Sequence, residues 1–175
     1  DTGKALLQLA GWYRRRFQLP MVGLTGSVGK TTTKEFIALV LSAKYNTLKT
    51  QGNLNNEIGV PQMLFRLEDS HTAAVIEMGM NHFGEISRLT RAVAPTVGLI
   101  TNIGVSHIEN LGSRSGILQA KLEILEGMAP DAPLIVNMDN DMLRTVKLGD
   151  RPLLTFAIDD QSADFTATDI TEQGS

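Results

Sequence analysis

No cysteine occurs among the 175 residues, which excludes disulfide scaffolds, zinc–thiolate sites and cysteine nucleophiles together. The lack is compatible with a reducing compartment without proving one. No apolar run approaches the ~20 residues that cross a bilayer, and no signal segment opens the chain. Basic residues are not in excess: 16 Lys and Arg stand against 19 Asp and Glu, so the positive footprint of a nucleic-acid binder is missing. Internal repeats and low-complexity tracts are absent too. What is present, 42% hydrophobic and 20% charged residues, is the mixture of an ordinary globular domain rather than a disordered chain. The length suits one domain with a proper core, or one domain and a fragment of another. The first residue is Asp1 and not Met, which reads as a piece of a longer protein.

Short apolar runs alternate with helical patterns, the rhythm of a parallel sheet with crossover helices. Leu6, Leu9, Ala10, Tyr13 and Phe17 recur at helical spacing and predict an opening helix over 4–17. Strands are expected at 21–24, 47–50, 73–76, 97–103, 134–136 and 153–158. Helices are expected after the glycine-rich turn, around Val60 to Leu67 with Pro61 in the first turn, from Ile86 to Val93, at 115–128 and at 141–147. Phe36/Val40 and Ile37/Leu41 give the first of these helices its apolar pairs. Arg14-Arg15-Arg16 reads as the solvated end of the opening helix. Ala and Thr near the C-terminus are spaced as in an edge strand. The fold class that follows is α/β, a doubly wound, mostly parallel sheet.

The sharpest local feature is Thr25-Gly26-Ser27-Val28-Gly29-Lys30-Thr31-Thr32, between a buried strand and an amphipathic helix. Glycines let backbone N–H groups converge on phosphate oxygens, and the helix N-terminus adds partial positive charge. Lys30 can reach the β- and γ-phosphates, and the Thr31 hydroxyl can ligate magnesium. The strict P-loop spacing would place glycine at position 24, where Leu24 stands; glycines occupy 23 and 26 instead.

Ligands of open α/β sheets bind beyond the carboxyl ends of the strands. Glu77 follows one such end, either holding magnesium or serving as a capping, solvent-facing carboxylate. His107 follows another, as a metal or phosphate contact or as a hydrogen-bonded loop residue. Asn137 and Asp139 follow a third and could read a base or sugar. Lys121 falls on the apolar side of its helix, four residues after Ile117 and three before Ile124. Snorkelling and a partly desolvated, modifiable amine both account for it. Asn53, Asn55 and Asn56, and likewise Asn81 beside His82, offer amides that bind a sugar or base or simply build turns.

These blocks resemble the Mur ligases. The loop 25–32 looks like the ATP loop of that family, which departs from the strict P-loop in the same way. Gly52-Asn53-Leu54-Asn55-Asn56-Glu57-Ile58-Gly59-Val60-Pro61 resembles the segment of the branch that adds D-alanyl-D-alanine. Residues 75–86, 101–113, 120–124 and 136–139 are similar to the following blocks, in the family's order. The resemblance implies that residues 25–32, together with Asn102, Asn137 and Asp139, contact ATP; where the family often has a second acid, this chain has Asn140. It implies that Thr31, Glu77, His107 and Lys121 serve a pair of magnesium sites, with Lys121 as a carbamate. It places Asn53, Asn55, Asn56 and Asn81 near a UDP-N-acetylmuramoyl-tripeptide substrate, with D-alanyl-D-alanine as the second substrate and the cytoplasm as compartment. It makes 1–18 a helical lead-in and 19–175 a central ATP-binding domain, shortened at its C-terminal end, of a monomeric enzyme with flanking domains. Other ligases of the superfamily, such as folylpolyglutamate synthases, are disfavoured by the 52–61 block. A non-catalytic nucleotide switch is disfavoured by Glu77, His107 and Lys121 together.

Overall fold

The computed structural model describes residues 1–171. Seven strands form one sheet in the order β2-β3-β1-β4-β5-β6-β7, every neighbouring pair parallel. They are β1 (Met21–Thr25), β2 (Thr47–Lys49), β3 (Ala73–Glu77), β4 (Val97–Ile100), β5 (Leu134–Asn137), β6 (Leu153–Ala157) and β7 (Phe165–Thr166). Helix α1 (Thr2–Arg14) precedes β1, and α2 (Lys30–Ser42), α3 (Gly59–Leu64), α4 (Glu85–Val93), α5 (Ile108–Leu111) and α6 (Arg114–Leu122) lie between successive strands up to β5. Among the described residues no helix is long and apolar enough to cross a membrane.

The continuous apolar runs at 73–76 and 97–100 are strands because both sheet faces are covered, so alternation is not needed. Helices α1, α3, α4 and α6 pack one face around Met21, Ile76, Ile100, Leu134 and Val136. Helix α2 lies on the other, where Ala38, Ile37 and Leu41 meet Leu24, Val75 and Leu99. The chain leaves β1 towards the β2 edge and later crosses back past β1 to reach β4. That reversal makes the carboxyl end of β1 the natural crevice of the sheet.

Helix α4 shows how such an element is held. Its buried stripe of Ile86, Leu89 and Val93 contributes roughly 2 kcal/mol per side chain. The carboxylate of Glu123 accepts the N–H groups of Gly84 at 2.7 Å and Ser87 at 3.1 Å, satisfying donors at the helix start. Glu123→Ala should therefore cost about 1–2 kcal/mol, well below the loss of a core residue. A urea titration checks it. At the other end Ala94 turns left-handed before Pro95, and Arg14 donates to the carbonyls of Val93 and Ala94.

Arg14 is thus buried, not solvated as expected, because its guanidinium serves three carbonyls, that of Phe17 included. Phe36 and Val40 face solvent instead of packing. The long helix at 115–128 ends at Leu122 and tightens into a 3₁₀ segment, Glu123–Gly127. A Cβ on Gly127 would meet Thr90 O at 2.1 Å, so the close approach of this segment to α4 requires glycine. The strand expected at 97–103 stops at Ile100, and the helix at 141–147 is only a 3₁₀ turn at Leu143–Thr145.

Candidate functional site

The loop between β1 and α2 is fastened to the end of β4. Ser27 N–H donates to Asn102 O, and Val28 N–H to Asn102 Oδ1 at 3.0 Å. The Thr101 hydroxyl donates to Val28 O at 2.8 Å, and Gly104 N–H to Ser27 Oγ at 2.9 Å. A Cβ on Gly26 would lie 1.8 Å from Thr101 Oγ1, so glycine alone permits this approach. Gly29 takes φ 76° and caps α2 without any side-chain bond. A Cβ there would touch nothing, so the space beside the loop at the start of α2 is open. Backbone donors at an uncapped helix start suit a phosphate group.

The polar side chains expected at this end of the sheet gather around that loop. Lys30 Nζ folds back onto Gly26 O at 2.9 Å, and burial lowers its pKa despite the opposing charge of Glu77. Glu77 is 1% exposed; its Oε2 accepts from the Thr31 hydroxyl at 3.2 Å and its Oε1 from Asn55 Nδ2 at 2.9 Å. Lys121 is 2% exposed, and burial, aided by the charge of Lys30, brings its pKa from the lysine range down to about 7. Snorkelling is therefore excluded. Among the described residues no group of three or more His, Asp and Glu could hold a metal. The oxygens of Thr31 and Glu77 nevertheless fit magnesium, which takes few protein ligands and fills its shell from phosphate and water.

Residues 24–175 match the model of the Mur ligase middle domain. The chain belongs to that family. It is 49% identical over 143 residues, 82% of this chain and 32% of the relative, to a UDP-N-acetylmuramoyl-tripeptide–D-alanyl-D-alanine ligase of Synechocystis. The structure of MurF from Acinetobacter baumannii superposes with a TM-score of 0.91 at 41% identity, covering 98% of this chain and 38% of that one. MurF from Thermotoga maritima, solved in complex with ADP, gives 0.84 at 32% identity, covering 91% and 38%. The chain spans about a third of the length of these relatives.

Other expected residues of this Mur ligase domain lie less directly at the loop. The Thr25 side chain is fully buried, so only its backbone borders the loop. Asn56 Oδ1 caps α3 through Ile58 and Gly59 N–H groups. Asn56 and Asn81 nonetheless share a shallow cavity of about 240 Å³ with Glu57 and Glu85, while Asn53 is exposed. His107 adopts φ 66° at the start of α5, a strained setting that histidine tolerates better than most residues. Asp139 accepts the N–H groups of Ile158, Asp159 and Asp160, which hold its carboxyl below the usual range, and Asn137 accepts that of Asp139. Asp139 therefore organises the loop after β6, and Asn137 the turn after β5. Sequence reasoning missed Lys34, buried beside Glu77.

Proposed function

We propose that this domain is the nucleotide site of an ATP-dependent, ADP-forming ligase of peptidoglycan precursor synthesis, which joins D-alanyl-D-alanine to UDP-N-acetylmuramoyl-tripeptide. The observation that carries the reading is the meeting of Lys30, Thr31 and Glu77 at an open, uncapped helix start, with Lys121 buried within reach of the Lys30 charge. The names of the relatives supply the substrates. In the reaction the tripeptide carboxylate attacks the γ-phosphate to give an acyl phosphate and ADP, and the dipeptide amine then displaces phosphate.

The chain's residues divide this work. Lys30 exchanges the Gly26 and Ser27 carbonyls for phosphate oxygens, where its charge offsets that of the transferred group. Thr31 and Glu77 would hold a magnesium ion, which supplies Lewis-acid neutralisation of the phosphates. Lys121, with its pKa near 7, has neutral amine available to add carbon dioxide with loss of a proton; the resulting carbamate and His107 would hold a second ion. Asn102 keeps the loop in register through Val28. Asn53, Asn55, Asn56 and Asn81 border the tripeptide, and Asn137 and Asp139 shape the nucleotide side. The remaining domains of a longer, monomeric cytoplasmic enzyme would bring uridine, dipeptide and the rest of the ATP contacts.

Phosphate release by the longer protein tests this. It should require both UDP-tripeptide and D-alanyl-D-alanine; release with single amino acids in place of the dipeptide would point to another ligase of the superfamily.

A further inference from the structure

Lys34 lies one turn beyond Lys30 on α2 with its side chain 1% exposed, and the chemistry above gives it nothing to do. Its ammonium is 3.1 Å from Glu35 Oε1 and 4.0 Å from Glu77 Oε2. Glu35 is itself gripped from outside by Lys49 of β2, and that pairing lowers its pKa. Lys49, Glu35, Lys34 and Glu77 thus form a line of alternating charge from the sheet edge to the phosphate loop. A buried ammonium is unfavourable unless paired, and an apolar side chain of similar volume would pack at least as well. Packing therefore does not explain a lysine here.

The geometry explains more. Oε2 of Glu77, the oxygen nearest Lys34, is the one that accepts from Thr31. The ammonium approaches it from within α2 but stays beyond direct hydrogen-bond distance, because Glu35 holds it closer. Asn55 fixes the other oxygen. The carboxylate is balanced on its buried side without losing Oε2 to a tight ion pair.

We propose that Lys34 is a positioning residue for Glu77: restrained by Glu35, it keeps the carboxylate beside Thr31 while leaving Oε2 available to a divalent cation. The inference rests on the reading of Thr31 and Glu77 as magnesium ligands. Removing the ammonium leaves the buried carboxylate unbalanced on that side and held only by Asn55 and Thr31. Removing Glu35 lets the ammonium close on Oε2 and compete with the cation. Both changes raise the magnesium requirement.

The test titrates magnesium against binding of a fluorescent ADP analogue to the full chain. Lys34→Met should need roughly tenfold more magnesium for half-saturation, with magnesium-free affinity within about twofold of wild type. Glu35→Gln should shift the requirement about threefold in the same direction. In a Glu77→Gln background Lys34→Met should add nothing. An unchanged magnesium requirement, a parallel loss of magnesium-free binding, or a full effect retained beside Glu77→Gln overturns the proposal. If Lys34→Met fails to fold by circular dichroism, Glu35→Gln decides, and no shift there overturns it. Wild-type binding that ignores magnesium would instead overturn the reading of Glu77 and Thr31, and this inference with it.

Discussion

Lys30→Ala should weaken binding of magnesium and a non-hydrolysable ATP analogue by about tenfold to a hundredfold, as measured by calorimetry. The range corresponds to the loss of a charge-assisted hydrogen bond to a phosphate, about 1.5–3 kcal/mol. Without ligand, Lys30 bonds only to the carbonyls of Gly26 and Ser27, and burial makes its charge costly there. The variant should therefore keep, or slightly exceed, wild-type stability in urea. Loss of binding together with loss of stability would mean that the lysine holds the loop rather than the phosphate. Equal binding would remove the loop from the site altogether.

Lys121→Met should stabilise the domain while removing a group its chemistry needs. The Lys121 pKa falls to about 7 because burial disfavours the ammonium, with the Lys30 charge adding to the effect. The sign follows from linkage. Between about pH 7 and the lysine range the unfolded chain binds a proton that the folded chain does not, so stability attributable to this residue rises with pH. Below pH 7 both states are protonated, and the fold bears the whole cost of a buried charge, at most about 5 kcal/mol. Urea unfolding at pH 6 should show Lys121→Met more stable by about 2–4 kcal/mol, with the difference shrinking towards pH 10. Ligase activity of the longer protein should be lost. A destabilised variant at pH 6 would show that the amine has a buried partner.

These residues also mark what the sequence discloses and what it hides. The sheet was legible because its inner strands are plain apolar runs, and the loop because glycines, lysine and threonine fall at a strand-to-helix turn. Lys121 betrayed itself by standing between Ile117 and Ile124 on an apolar stripe. The same test would have found Lys34, which shares the spacing of Ile37, Ala38 and Leu41. Arg14 was hidden by its fellow arginines, since only the approach of α4 supplies the carbonyls that bury it. The work of Asn102 on Val28 depends on contact across 74 positions of chain, which local spacing does not report. The 3₁₀ end of α6 depends on Thr90, whose hydroxyl bonds to Ile124 O.

The place of β1 in the sheet also governs when the site can exist. β1 carries the phosphate loop, precedes the other strands of this sheet, and does not pair with β2, the strand that follows it. Its partners are β3 and β4, and the carboxamide that fastens Val28 comes after β4. Pairing at such separation is intrinsically slow. Until β4 and Asn102 have emerged, the glycine-rich loop is a tether with nothing to close against. A nascent chain competent to bind ATP is thus one in which β1 has already paired with β3 and β4.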